Sequence, residues 1–154
     1  MDDRLFRLGY PRRYAASRMT YFHLTSSSAL PDICSSRPFR AVVIVEDTVG
    51  ADRQSEISKW LVESGCLYMM AWGNDCGSWD DSVDIANLEE FDYAEIPDDR
   101  LVMTTWHSEE TIAEVFWFCK NCAFHPTVDI SNDMILHLSP EPCSRKLTDD
   151  YIAA

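Results

Sequence analysis

The chain has 154 residues, of which 46% are hydrophobic and 25% are charged, so it suits one globular domain with a substantial core. Its formal net charge of −13 at pH 7 disfavours direct binding of nucleic acid, because the phosphates carry the same sign. No apolar run reaches the roughly 18 residues of a membrane span, and the start lacks an apolar leader segment. We therefore expect a cytoplasmic protein whose six cysteines are reduced thiols.

The charge is unevenly distributed along the chain. Residues 1–38 are rich in Ser and contain six Arg against three Asp, whereas residues 73–99 contain ten acids and neither Lys nor Arg. This contrast predicts a basic N-terminal arm over residues 1–38, a single α/β domain over residues 39–140 and a C-terminal tail over residues 141–154. Within the arm, residues 19–24 have an alternative interpretation as a short edge strand. A last short helix is an alternative within the tail.

The hydrophobic pattern predicts strands and helices in alternation. Continuous apolar runs rich in β-branched residues predict strands buried on both faces, and apolar residues at helical spacing predict helices between them. Gly65 ends the first helix, Pro126 follows the third, and acids in the first turn of the third helix suit its dipole. The predicted strands cover residues 39–46, 67–72, 101–106 and 134–138, and the predicted helices cover residues 51–64, 82–91 and 108–123.

This order predicts an α/β three-layer sandwich, because parallel strands joined by right-handed crossovers place helices on both faces of the sheet. We expect a flavodoxin-like or Rossmann-like domain with a four-stranded, mainly parallel sheet in the order 2-1-3-4. In such folds, ligands and partners bind where the strands end at their carboxyl side.

Two segments share the pattern Leu-x-Met-x-x-Trp and direct attention to that edge. They place Trp72 and Trp106 at the ends of two predicted strands, and Trp79 follows the first of them closely. Tryptophan is common in interface hot spots, and acids around it would form a charged rim. The alternative is that these tryptophans cap the core. The residues predicted to bind a partner are Trp72, Asp75, Trp79, Asp80, Asp81, Asp84, Trp106 and His107.

Three residues are candidates for catalysis at the same edge. His107 follows a strand and precedes a helix, so it could act as a general base beside Asp75 or Glu46. The alternative is a partly exposed surface histidine without a chemical role. Neither a glycine-rich phosphate loop nor a G-x-S-x-G elbow is present, which removes the main support for nucleotide binding and for an α/β-hydrolase.

Metal and redox chemistry have weak signals. Cys119 and Cys122 have the spacing of a redox or zinc pair, but they lie near the end of a helix, where the dipole raises rather than lowers a thiol pKa. A zinc site would need two further ligands, and no second such pair occurs. The aspartates of residues 75–84 do not follow the EF-hand pattern. We therefore predict neither a metal nor a cofactor.

Residues 39–138 resemble an uncharacterised bacterial α/β domain family. The resemblance lies in the segments Leu-Tyr-Met-Met-Ala-Trp-Gly at residues 67–73, Ser-Trp-Asp-Asp-Ser at residues 78–82 and Thr-Thr-Trp-His at residues 104–107. It implies a fold but no known activity.

Two functions are consistent with these features. The first is an acidic interaction module that binds and inhibits or neutralises a basic protein, as an immunity protein or a nucleic-acid mimic does. The second is a small-molecule enzyme or sensor with its site at the carboxyl ends of the strands. A homodimer is left open.

Overall fold

A computed structural model describes residues 18–154, which form five strands, four α-helices and one short 3-10 helix. The strands are β1 (Arg18–Leu24), β2 (Phe39–Val45), β3 (Cys66–Gly73), β4 (Met103–His107) and β5 (Asn132–Leu138). The helices are α1 (Ala51–Glu63), α2 (Cys76–Glu90), α3 (Ile112–Asn121) and α4 (Ser144–Ala153), and the 3-10 helix covers Cys34–Ser36. Among these residues, no helix combines the length and the apolar character needed to cross a membrane.

The α/β fold class is confirmed, but the strand number and order differ from the prediction. All strand pairs are parallel and the order is β1-β5-β2-β3-β4, rather than four strands in the order 2-1-3-4. The chain moves outward from β2 through β3 to β4, and then returns across the sheet to place β5 against β2. Apolar runs identify strands but contain no information on which strands are neighbours, so the order was not recoverable from periodicity.

The sheet has helices on both faces, which gives the predicted three layers. Alternate residues of each strand point to opposite faces of the sheet. Because helices cover both faces, the central strand β2 is buried along its whole length. One core cluster joins Ala41 and Val43 to Leu61 of α1 and Val83 of α2. The other includes Val42, Ile44, Phe116 of α3 and Leu147 of α4.

The predicted arm and tail both contribute to this domain. β1 pairs with β5 along its whole length, so the edge-strand interpretation of residues 19–24 is confirmed and the sheet extends across the boundary placed at residue 38. Leu24 and Ile33, which precede that boundary, are buried in the core. The tail forms α4, which buries Leu147 and Tyr151. The part of the arm before residue 18 lies outside the described residues.

A buried ion pair joins the central strand β2 to its neighbour β5 near their amino ends. Arg40 and Asp133 are register partners in β2 and β5, are 4% and 3% exposed, and approach to 2.6 Å between Nη2 and Oδ1. Arg40 Nη1 also donates to the carbonyl of Ala123, and the Tyr151 hydroxyl donates to Asp133. The pair therefore connects the sheet to the end of α3 and to α4.

We expect Asp133→Ala to lower the free energy of unfolding by about 3–5 kcal/mol, because it leaves the Arg40 guanidinium buried without its counter-charge. Urea unfolding followed by circular dichroism measures this change. The matched control is Arg40→Met combined with Asp133→Leu, which removes both charges and should cost less than the single change. A loss below about 1 kcal/mol for Asp133→Ala would show that the pair is not a structural constraint.

Candidate functional site

The edge of the sheet formed by β4 carries an exposed tryptophan beside α2. Trp106 is 53% exposed, and its indole lies over Gly77, where an added Cβ would stand 3.8 Å from the indole Cδ1. About two helical turns further along α2, Asp84 accepts a hydrogen bond of 2.8 Å from the Thr104 hydroxyl. Thr104 and Trp106 therefore present their side chains to the side of α2 that borders the open edge.

Three aspartates of α2 gather beside these residues. Burial raises the pKa of Asp84, and the negative charges of Asp80 and Asp81 raise it further, while the hydrogen bond from Thr104 acts in the opposite direction. One carboxylate oxygen of Asp80 is buried and has no hydrogen-bond partner among the described residues. The three carboxylates repel one another, and a cationic side chain placed among them would reduce that repulsion. We call Thr104, Trp106, Asp80, Asp81 and Asp84 the β4–α2 face.

Two of the predicted partner-binding residues are not accessible to a partner. Trp79 is 2% exposed and packs in the core, because α2 begins at Cys76 rather than near residue 82 and turns this side chain towards the sheet. His107 is 5% exposed and packs edge-on against the ring of Phe118. The burial of Trp79 agrees with its alternative interpretation as a tryptophan that caps the core.

His107 is not assembled with the other catalytic candidates. Its Nε2 lies 2.9 Å from the Thr105 hydroxyl and its Nδ1 lies 3.4 Å from a carboxylate oxygen of Glu110. Neither Asp75 nor Glu46 is among its described partners. The geometry therefore gives His107 a role in holding the end of β4 against α3.

The remaining predicted residues, Trp72 and Asp75, lie where β3 ends. The indole of Trp72 donates a hydrogen bond of 2.8 Å to the carbonyl of Glu110 and packs with the cluster on the α3 side, away from Trp106. Asp75 is exposed and adopts a left-handed conformation with φ of 50° directly before α2. Asp75 thus borders the start of α2, whereas Trp72 belongs to the other face of the sheet.

Glu46 takes part in a hydrogen-bonded chain that the prediction missed. His137, 2% exposed in β5, has its Nε2 2.7 Å from Oε1 of Glu46 and its Nδ1 2.7 Å from the Tyr21 hydroxyl. Tyr21 accepts a further hydrogen bond from the backbone N–H of Cys143, and burial raises the pKa of its hydroxyl. The signal was a histidine inside the apolar run of β5, but its partner in β1 lies 116 positions away in the sequence.

This chain occupies the topological switch point of the sheet. The helix that follows β2 packs on one face and the helix that follows β5 packs on the other, so the crevice typical of ligand sites opens between these two strands. A small cavity there has a volume of about 10 Å³, room for about one water molecule. It is lined by Leu24, Thr25, Ser26, Asp47, Val49, Arg53, Ile57, Leu138 and Ser139.

The two cysteines with redox or zinc spacing differ in their surroundings. Cys119 is buried, and burial with the nearby Asp133 charge raises the pKa of its thiol, so it is not a reactive thiolate. Cys122 is exposed. Among residues 18–154, no three His, Cys, Asp or Glu side chains are grouped closely enough to hold a metal ion.

The chain belongs to a family described as a domain of unknown function, DUF7684, whose model matches residues 19–154. The match begins in β1 and includes all of α4, so it is wider than the resemblance seen over residues 39–138. A comparison with curated proteins and a comparison with solved structures matched nothing.

We expect Asp84→Asn to raise the melting temperature at pH 7 by about 1–2 °C, because it removes a repelled, partly buried charge. The raised pKa means that the folded protein binds this proton more tightly than the unfolded chain does. Wild-type stability therefore falls as pH rises from the ordinary value of 3.8 through the folded pKa, and the asparagine variant escapes that loss.

Thermal unfolding at pH 7 and pH 4 tests the direction of this pH dependence. The gain in melting temperature from Asp84→Asn should be smaller at pH 4 than at pH 7. Asp149→Asn makes the same charge change at an exposed position of α4 and controls for net charge. An equal gain in both variants, or a gain independent of pH, would contradict the raised pKa of Asp84.

Proposed function

We propose that this protein binds a basic partner protein through the β4–α2 face and inhibits or neutralises it, in the manner of an immunity protein or of an inhibitor that mimics nucleic acid. The observation that carries the proposal is the half-exposed Trp106 bordered by the aspartates of α2. A large indole left exposed on a sheet edge gains apolar contact when a partner covers it, and acids around it select basic partners.

The arrangement of the acids favours a partner that normally binds nucleic acid. Asp80 and Asp84 are one helical turn apart, about 6 Å along the helix axis. Basic surfaces of nucleic-acid-binding proteins hold Lys and Arg side chains arranged to contact closely spaced phosphates. Carboxylates in a row on α2 can contact the same side chains, so occupation of that surface by this protein would exclude the nucleic acid.

The remaining parts of the proposal follow from charge. A net charge of −13 disfavours direct binding of nucleic acid and association with an anionic membrane surface, and we propose that the protein acts in the cytoplasm. We leave open whether two copies of the chain form a homodimer through other surfaces. At the β4–α2 face itself, pairing of two copies would bring like charges together.

The small-molecule alternative has weaker support. The Glu46–His137–Tyr21 chain at the switch point is suited to proton transfer, which is the observation in its favour. The neighbouring cavity has a volume of about 10 Å³, room for about one water molecule, and is far smaller than the roughly 300–1,000 Å³ of typical ligand sites. We therefore propose the β4–α2 face, rather than this cavity, as the functional surface.

Capture of proteins from the source cell at low and at high salt tests the proposal. We expect wild-type protein to retain a basic protein at low salt and to release it at high salt, because salt screens exposed charges. Asp80→Lys combined with Asp81→Lys should weaken binding at least about tenfold, since close charge pairs across interfaces are worth 1.5 kcal/mol or more. Trp106→Ala should weaken it by about thirtyfold, as expected for a hot-spot residue.

A matched control separates this face from overall charge. Glu63→Lys combined with Asp149→Lys changes the net charge equally at exposed positions of α1 and α4. Retention of the same basic protein by the control but not by the face variants supports the proposal. Equal retention by wild type, control and both face variants would overturn it.

A further inference from the structure

Within residues 18–154, the outer side of β4 is a sheet edge without a paired strand. β4 is the last strand in the order, and its five residues pair with β3 on the inner side. The backbone hydrogen bonds that this part of the chain makes outside helices and ladders include none by residues 103–107. Alternate N–H and C=O groups of β4 therefore face outward with no backbone partner among the described residues.

Backbone hydrogen bonds at the ends of the other strands show to which side the N–H and C=O groups of each residue point. A residue whose side chain lies on the α3 and α4 side donates towards β1, as the N–H of Glu46 to the carbonyl of Leu138 shows. Phe39, whose side chain faces α1 and α2, donates the opposite way, to the carbonyl of Gly65 beside β3. The side-chain face of a residue therefore fixes the side to which its N–H points in this parallel sheet.

The same rule applied to β4 separates its residues into two sets. Thr104 and Trp106 face α2, so their N–H and C=O groups point to the open edge. Thr105 and His107 face α3, so their backbone groups point to β3. The residues of the β4–α2 face thus present both side chains and unpaired backbone groups to the same region of solvent.

We propose that the partner engages this protein by strand addition, in which an extended basic segment pairs with Thr104 and Trp106 as a sixth strand. The inference rests on the proposed function and specifies how its interface forms. In a complex of this kind, main-chain hydrogen bonds provide the affinity, and side chains at alternate positions provide the specificity. Lys or Arg side chains on the α2 side of the added strand would meet Asp81 and Asp84.

Charge complementarity decides between occupants of the edge. A second copy of this chain, paired through its own β4, would place its α2 aspartates against those of the first copy. Like charges held in contact cost free energy, whereas a basic segment would offset the negative charges of Asp80, Asp81 and Asp84. The edge therefore selects a cationic strand.

The test uses an eight-residue peptide of alternating Lys and Val, with an alternating Glu and Val peptide as the charge control. We expect the Lys peptide to bind in a salt-sensitive manner and the Glu peptide not to bind. In amide hydrogen exchange followed by NMR, Thr104 and Trp106 should exchange rapidly in the free protein and become protected by the Lys peptide. Thr105 should be protected in both states.

Variants separate strand addition from charge attraction. Thr104→Pro removes the outward N–H, which an edge strand tolerates, and should weaken peptide binding about five- to tenfold. Thr104→Ala retains the N–H and controls for loss of the hydroxyl. Two further versions of the Lys peptide give a second measurement on unaltered protein. One is N-methylated at the backbone amides of all valines, and the other at those of all lysines. We expect one of these two peptides to lose binding.

The outcomes distinguish this inference from the function on which it rests. If Asp81→Asn with Asp84→Asn weakens binding while Thr104→Pro and both N-methylated peptides bind like their controls, strand addition is overturned and the acidic face stands. If none of these changes alters binding, both fail at this surface. Absence of any Lys peptide binding, or self-association of the free protein through protected Thr104 and Trp106 amides, also overturns the inference.

Discussion

The arrangement of the whole sheet depends on the buried ion pair between Arg40 and Asp133. Two charges removed from water are tolerated only where they are paired and hydrogen-bonded, and here the partners come from neighbouring strands and from two helices. A one-residue shift of β5 against β2 would move Asp133 to the opposite face and leave Arg40 unpaired. The ion pair therefore sets the register of these strands and, with it, the position of the switch point at their other ends.

Much of the fold was predictable, and the failures share a cause. Strands β2, β3 and β5 are continuous apolar runs that the sequence marks clearly, and Gly65 marks the end of α1. β1 is half exposed at the edge of the sheet, so its pattern is weak. The order of strands depends on contacts distant in sequence, as the pairing of β1 with β5 shows, and such contacts leave no periodic trace.

The candidate site was predicted in part for the same reason. Trp106 and the aspartates of α2 were recognisable because composition alone marks an acidic stretch beside an aromatic residue. Trp79 was misplaced because the start of α2 lay six residues earlier than its polar sequence indicated, which turned the indole inward. Glu46 was identified, but its partner proved to be His137 rather than His107, since β5 and not β4 lies beside β2.

The placement of the acids of α2 at one side of the sheet has a kinetic consequence. A concentrated field on one side of a molecule turns it towards an oppositely charged partner before contact, so the rate of association would rise as salt falls. In the proposed complex, the exposed indole of Trp106 would act only after contact, where its burial would slow dissociation. The rate of association and the lifetime of the complex would thus depend on different residues of the same face. Evolution could adjust either of these two quantities without changing the other.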